Sequence, residues 1–266
     1  MKIVVKIGTS TLAHATGQLN IRRVAELCRV LSDLKNAGHQ IILVSSGAIG
    51  MGIGKLSLGE RPADIPTKQA AASVGQCELM YTYNKEFGEY NHTVAQILLT
   101  ALDLQDDIHR VNFENTLNRL LELGALPIIN ENDSVATEEI EIDNDTMGAL
   151  VATAVGADLL VLLSDIDGLY TADPHKNPDA KLIHDVLELT PDVLALADGK
   201  GSSLGTGGMA TKLKAASIAG AAGIDMVIAN GAAPHLLYDL LDGQPVGTRF
   251  YASKDKHNQE KSQDNG

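Results

Sequence analysis

Apolar positions in this chain come as short unbroken runs separated by longer stretches with helical spacing, and that alternation sets the expected fold. Lys2–Ile7 is a β-branched run closed by Gly8-Thr9-Ser10, and Gln40–Val44 is a second such run. Between them Ile21, Val24, Leu27, Cys28, Leu31 and Leu34 recur at helical intervals, with Asn20 placed to cap the start and Gly38 to stop the end. Strand, helix, strand is the unit of a parallel sheet. The pattern then predicts a helix over 66–87, a strand over His92–Leu99, a helix over Val111–Leu123 ended by Gly124, and a strand over Leu126–Ile129. Further on it predicts a helix over Thr146–Val155 ended by Gly156, then a strand over Asp158–Leu163, the most apolar of the chain. A helix over Met209–Gly223, a strand over Asp225–Ala229, a short helix over His235–Leu241 and a strand over Gly247–Tyr251 complete the series. Acidic and apolar residues alternate through Glu138–Ile142, which predicts a small β-hairpin arm. The expectation is one α/β domain over 1–251, with the polar residues 252–266 as a frayed tail.

Composition narrows this picture. Apolar residues make up 44% of the chain while aromatics are only 3%, so the core must be built from Ala, Val, Ile and Leu, which suits buried parallel strands under helices. A net charge of −13 disfavours any partner bound through a phosphate backbone, so no nucleic acid is expected. Lys6 interrupts the N-terminal run before a signal-peptide core forms, and no apolar run reaches a membrane-spanning length. The expected setting is therefore cytoplasmic, without a membrane partner. Cys28 and Cys77 give neither a disulfide framework nor a metal spacing, and the eight histidines are scattered without ligand spacing, so no protein-bound metal is expected. Asp103-Leu104-Gln105-Asp106-Asp107 reads as a solvated acidic face.

Candidate chemistry gathers in the turns that follow strands. The run Gly205-Thr206-Gly207-Gly208-Met209-Ala210-Thr211-Lys212 places glycines ahead of a helix, either as a flexible cap or as a phosphate cradle of free N–H groups. Lys212 falls in the first turn, where a cation is poorly placed against the helix dipole unless an anion lies in front of it. Lys6, near the end of the first strand, either snorkels at the sheet edge or points at an anion. Ser46 opens Ser46-Gly47-Ala48-Ile49-Gly50, a turn that is either ordinary or a donor to a carboxylate or phosphate. Gly50-Met51-Gly52-Ile53-Gly54-Lys55 is not a P-loop, because Leu56 follows where Ser or Thr is required. Asn130-Glu131-Asn132-Asp133 is either a polar loop or the wall of a substrate site, and Asp143 or Asn144 is placed to cap a helix. Ser164-Asp165 opens a long turn-rich loop whose carboxylates do not match a calcium-loop spacing. Two lysines from opposite ends of the chain, directed at one crevice, suit a nucleoside triphosphate donor, since phosphoryl transfer is mostly positioning and charge stabilisation. No histidine base accompanies them. That favours an acceptor already ionised at neutral pH, a side-chain carboxylate with a pKa of about 4.3.

The segments KIGTS (Lys6 to Ser10), SSGAIG (Ser45 to Gly50), NENDSVAT (Asn130 to Thr137), DND (Asp143 to Asp145), SDIDGLYTADP (Ser164 to Pro174) and GTGGMATK (Gly205 to Lys212) resemble the glutamate 5-kinases of the amino acid kinase superfamily. The resemblance runs in order to about residue 250, and it is to the form without a C-terminal PUA domain. It implies an open, mostly parallel eight-stranded sheet in a three-layer αβα sandwich. It also implies conversion of L-glutamate and ATP to glutamyl 5-phosphate, the first step of proline synthesis, with Mg²⁺ and with proline as inhibitor. Carried over by motif, Lys6 and Lys212 stabilise the transferring phosphoryl group and Asp145 holds them, while Ser46, Asp133 and Asn144 bind glutamate. Lys6, Ser164 and Asp165 with Thr206, Gly207, Gly208, Met209, Ala210, Thr211 and Lys212 bind ATP. The glutamate site then falls mainly in the N-terminal part and the ATP site mainly in 158–251. Many relatives carry Thr where this chain has Ser164; the hydroxyl is kept. The family also implies a homo-oligomer, a dimer or tetramer.

Overall fold

In the computed structural model, which describes residues 1–14, 18–135, 142–174, 176–198 and 208–252, the apolar run Lys2–Ile7 forms β1 at the centre of a sheet. The short helix α1 (Thr9–Leu12) follows, then α2 (Ile21–Asn36), β2 (Gln40–Ser45), α3 (Ala48–Leu56), α4 (Ile65–Gly88) and β3 (Val94–Leu99). Next come α5 (Ala101–Gln105), α6 (Asp107–Glu122), β4 (Leu126–Glu131), α7 (Asn144–Val155), β5 (Leu159–Ser164), β6 (Asp185–Val186) and α8 (Pro191–Ala195), which runs into a 3-10 turn at Leu196–Asp198. The chain continues through α9 (Met209–Ala221), β7 (Asp225–Asn230), α10 (Leu236–Leu241) and β8 (Thr248–Phe250). The strands make one eight-stranded sheet in the order β3-β4-β2-β1-β5-β7-β8-β6. Pairing is parallel throughout except between β7 and β8.

Side chains of successive strand residues divide between two cores. Val4, Val44, Leu160, Leu162 and Ile228 pack against α6, α7 and α9 on one face. Ile3, Val5, Leu43, Val161 and Val227 pack against α2, α4 and α10 on the other. Both faces of the central strands are buried, which is why those strands read as continuous apolar runs and why the molecule has three layers.

Several boundaries differ from the sequence-based expectation. The small-residue turn at Ser46 leads, of the helix or loop open to it, into a helix, α3, which lies against α4 with almost no separation. A Cβ on Gly52 would stand 1.7 Å from the carbonyl oxygen of Ala71, and one on Gly75 would stand 1.7 Å from that of Ala48. Each glycine loses about 1 kcal/mol of helix propensity, and the backbone contact it permits offsets that loss. The acidic segment 103–107 is more than a solvated face. Asp103 forms a capping box with Thr100, and Asp106 accepts from the His109 N–H at 2.9 Å, so α6 begins at Asp107, a turn earlier than Val111. The strand β4 continues through Asn130 and Glu131, which places that part of the polar cluster in the sheet. Two residues of β6 and the five of α8, capped by Thr190, carry too little periodicity to be read in advance. Residues 138–141 of the expected hairpin arm and 253–266 of the tail lie outside the described residues. Among the described residues no helix is long and apolar enough to cross a membrane.

Candidate active site

The parallel strands β1, β2, β4 and β5 end on one edge of the sheet, and α3, α7 and α9 begin there. A crevice at the carboxyl ends of strands is where open α/β sheets gather ligands. Here it is a cavity of about 190 Å³. Eight of the residues to which the resemblance gives a role line it: Lys6, Ser46, Asp133, Asn144, Asp145, Ser164, Asp165 and Lys212.

Asp145 organises the floor. It sits in the first turn of α7, is 2% exposed, and receives Lys6 Nζ on Oδ1 at 2.6 Å and Lys212 Nζ on Oδ2 at 3.1 Å. Lys6 therefore points inward from β1 at an anion and does not snorkel. The acid is well placed near the positive end of α7, and the misplaced cation in the first turns of α9 is explained by it. Thr211 Oγ1 lies 2.8 Å from Asp145 Oδ2 and 2.8 Å from the Gly208 carbonyl, its one proton serving either. Burial alone would raise the Asp145 carboxyl, but the charges of Lys6 and Lys212 and the hydrogen bonds from Lys6 and Thr211 hold it below the usual carboxylate range. One carboxylate shared by two ammonium groups leaves the floor with net positive charge, suited to a polyanion.

On the β2 side, Asn144 Nδ2 donates to Ser46 Oγ at 2.6 Å, which ties the start of α7 to the end of β2. Asp143 is spent on capping. It accepts from Thr146 N at 2.8 Å and from Thr146 Oγ1 at 2.6 Å, so of the two candidate caps it is Asp143 that closes α7, and both residues line the cavity. Gly47 adopts φ 104, which a side chain would resist, and α3 has no side-chain cap, so its first N–H groups open towards the cavity. Beneath them Asn130 Nδ2 donates to Gln76 Oε1 at 2.9 Å.

On the β5 side, Ser164 Oγ lies 3.1 Å from Asp165 Oδ1. The helix α9 starts after Gly208 with no side-chain cap. Gly208, Met209, Ala210 and Thr211 form its opening turn without lining the cavity, and Met209 packs on the core. Thr206 and Gly207 lie outside the described residues. Among the described residues no group of three His, Cys, Asp or Glu side chains could hold a metal ion. The cavity also takes in Gly8, Thr9 and Ser10 after β1 and Arg61 from the α3–α4 connection, none of which had been singled out individually. The first three lie in the KIGTS segment, Lys6 to Ser10; Arg61 sits in a loop with no periodic or motif signal.

Residues 1–230 match the model of the amino acid kinase family. The chain is 51% identical over 258 residues to the glutamate 5-kinase of Clostridium perfringens (strain 13 / Type A), covering 95% of this chain and 96% of that protein. It is 54% identical to the glutamate 5-kinase of Clostridium tetani (strain Massachusetts / E88), covering 95% of each. Among solved structures it is similar to carbamate kinase from Giardia lamblia bound to AMP-PNP, with a TM-score of 0.68 at 16% identity, over 95% of this chain and 98% of that one. It is also similar to isopentenyl phosphate kinase of T. acidophilum, with a TM-score of 0.64 at 18% identity, over 94% and 99% of the two chains. At such identities the last two likenesses concern the fold.

Proposed function

This chain belongs to the amino acid kinase family and, within it, to the glutamate 5-kinases, and we propose that it moves the γ-phosphoryl group of ATP onto the γ-carboxylate of L-glutamate, giving glutamyl 5-phosphate and ADP. The observation that carries this reading is the Lys6–Asp145–Lys212 bridge on the floor of the cavity. A carboxylate oxygen attacks the γ-phosphorus, the bond from that phosphorus to the β,γ-bridging oxygen breaks, and its electron pair leaves with ADP. The nucleophile is ionised at neutral pH, so no proton has to be removed. What opposes the reaction is repulsion between two anions. Lys6 and Lys212 reduce it and stabilise charge on the transferring group, with Asp145 fixing where their ammonium groups stand.

In this reading Ser46, Asp133 and Asn144 hold glutamate, Asp133 through the α-ammonium group. Lys6, Ser164, Asp165 and the segment from Thr206 to Lys212 hold ATP, so that the nucleotide side falls mainly in 158–251. Mg²⁺ supplies further neutralisation of phosphate charge when bound. Incubation with ATP, Mg²⁺, glutamate and hydroxylamine should yield the γ-hydroxamate; no hydroxamate at high protein concentration would overturn the assignment.

The same reading makes this the first step of proline synthesis, in the cytoplasm, by a dimer or tetramer. Proline then acts as an end-product inhibitor competing near the glutamate pocket. It should raise the apparent KM for glutamate, and kinetics unmoved by saturating proline would refute that part alone.

A further inference from the structure

Arg61 is the one cation lining the cavity that lacks an acidic partner among the described residues, since Lys6 and Lys212 are both engaged by Asp145. Its loop is held in shape from both ends. Ser57 at φ 54 and Gly59 at φ 76 turn the chain out of α3, and Glu60 N donates to the Leu58 carbonyl at 2.9 Å. Asp64 then caps α4 by accepting from Thr67 N at 2.9 Å and from Thr67 Oγ1 at 2.7 Å. The guanidinium is thus carried on a braced connection, not on a free arm.

The two sources of positive charge reach the cavity from opposite layers. Lys212 comes from α9, on the face that also carries α6 and α7, whereas Arg61 comes from the connection into α4, on the face that carries α2 and α10. A ligand with one anionic end fits only one of these sources. L-Glutamate has two carboxylates, and the proposed chemistry assigns its γ-carboxylate to the Lys6–Lys212 end and its α-ammonium group to Asp133. The α-carboxylate remains. Asp133 and Asp143 also line this cavity and would repel it, so it needs a fixed positive partner. A planar guanidinium that can present two parallel N–H donors is that partner.

Resting on the glutamate kinase reading, we infer that Arg61 is a specificity-determining residue that receives the α-carboxylate of the amino-acid substrate. It selects substrates carrying that charge and leaves the phosphoryl transfer itself to the lysines. The test is hydroxamate formation by the whole protein, the Arg61→Gln variant and the Arg61→Lys variant, each with L-glutamate and with the α-amide of L-glutamate, in which the α-carboxylate is neutralised. Loss of a charge-assisted contact at a solvent-facing site predicts that Arg61→Gln raises the KM for glutamate about tenfold with kcat within about twofold. The same variant should change the KM for the α-amide little, so that the preference for glutamate collapses. Arg61→Lys, which keeps a point charge without the fork, should recover part of that preference. If Arg61→Gln keeps the parent's ratio of the two KM values, or loses kcat at unchanged KM, the inference is overturned, and the α-carboxylate belongs to the N–H groups that open α3. A parent protein inert towards glutamate would instead overturn the activity, and this inference with it.

Discussion

Lys6 Nζ lies 2.6 Å from Asp145 Oδ1, both side chains buried, so the first strand of the sheet is fastened to the first turn of α7 by a charge pair shielded from solvent. With Lys212 on the other oxygen, removing the carboxylate would leave two ammonium groups buried together. Replacement Asp145→Asn is therefore expected to cost about 3–5 kcal/mol of stability, in line with breaking a buried pair. Phosphoryl transfer should fall with it. Urea unfolding monitored by circular dichroism measures the first effect; a variant within about 1 kcal/mol of the parent would show that the pair is not buried as described.

Acid should erase that difference. The folded-state pKa of Asp145 is depressed below its unfolded value, against burial and because of Lys6 and Lys212. The stability it contributes is fully present above the unfolded carboxylate value of about 3.9 and is lost as pH falls through the folded one. The gap in unfolding free energy between the parent and Asp145→Asn should be constant from neutral pH down to about pH 5 and narrow below about pH 4. A gap that stays flat to the lowest pH at which the parent folds would contradict the assignment.

The two lysines should separate binding from catalysis. Either Lys6→Ala or Lys212→Ala leaves Asp145 one cation, so each is expected to destabilise less than Asp145→Asn. Each should nevertheless lower kcat by about 10²–10³, the usual loss on removing a group that stabilises transition-state charge. The KM for glutamate should move little. Steady-state kinetics decide this, and full activity in Lys212→Ala would remove that residue from the chemistry.

Where α3 meets α4, a single methyl group should be enough to disturb the substrate end. A Cβ on Gly75 would stand 1.7 Å from the Ala48 carbonyl oxygen, in the turn that follows Ser46. Gly75→Ala must push α3 away, and is expected to cost about 2–4 kcal/mol as an overpacked contact and to raise the KM for glutamate. Gly38→Ala is the contrast: its φ of 96 makes the change strained, but nothing lies within 4 Å, so it should cost about 1 kcal/mol and leave kinetics alone. Thermal melts and glutamate titrations of the two variants check the pair.

Much of this was legible in the sequence because buried parallel strands advertise themselves. Val4, Val161 and Val227 sit in apolar runs that only a doubly covered sheet would bury. The cavity-lining turns were legible too, as Ser46, Asn144 and Ser164 stand where polar residues interrupt apolar ones. Contacts set by three-dimensional approach were not. Gly52 sits in a run without periodic signal and Gly75 inside a predicted helix, and neither shows its purpose until two helix backbones are seen to touch. Asp103 and Asp106 look like surface charge until Thr100 and His109 show them closing helix ends. The strand continuing into Asn130 is fixed by its parallel neighbour, which pairs Leu98 with Asn130, and no local pattern announces that. Arg61 stayed hidden for the same reason: a lone arginine in a loop acquires meaning only from what faces it.

The position of β1 between β2 and β5 has a consequence for how the molecule assembles. The six residues of β1 are hydrogen-bonded on both sides, to a strand about forty residues downstream and to another well over a hundred further on. Growth of the sheet must radiate from that keystone in two directions, and the second flank waits for ribosomal output long after the first is ready. Weakening Val4 or Val5 should thus slow maturation of both flanks together, whereas lesions in β3 or β6, at the outer margins, should spare the centre.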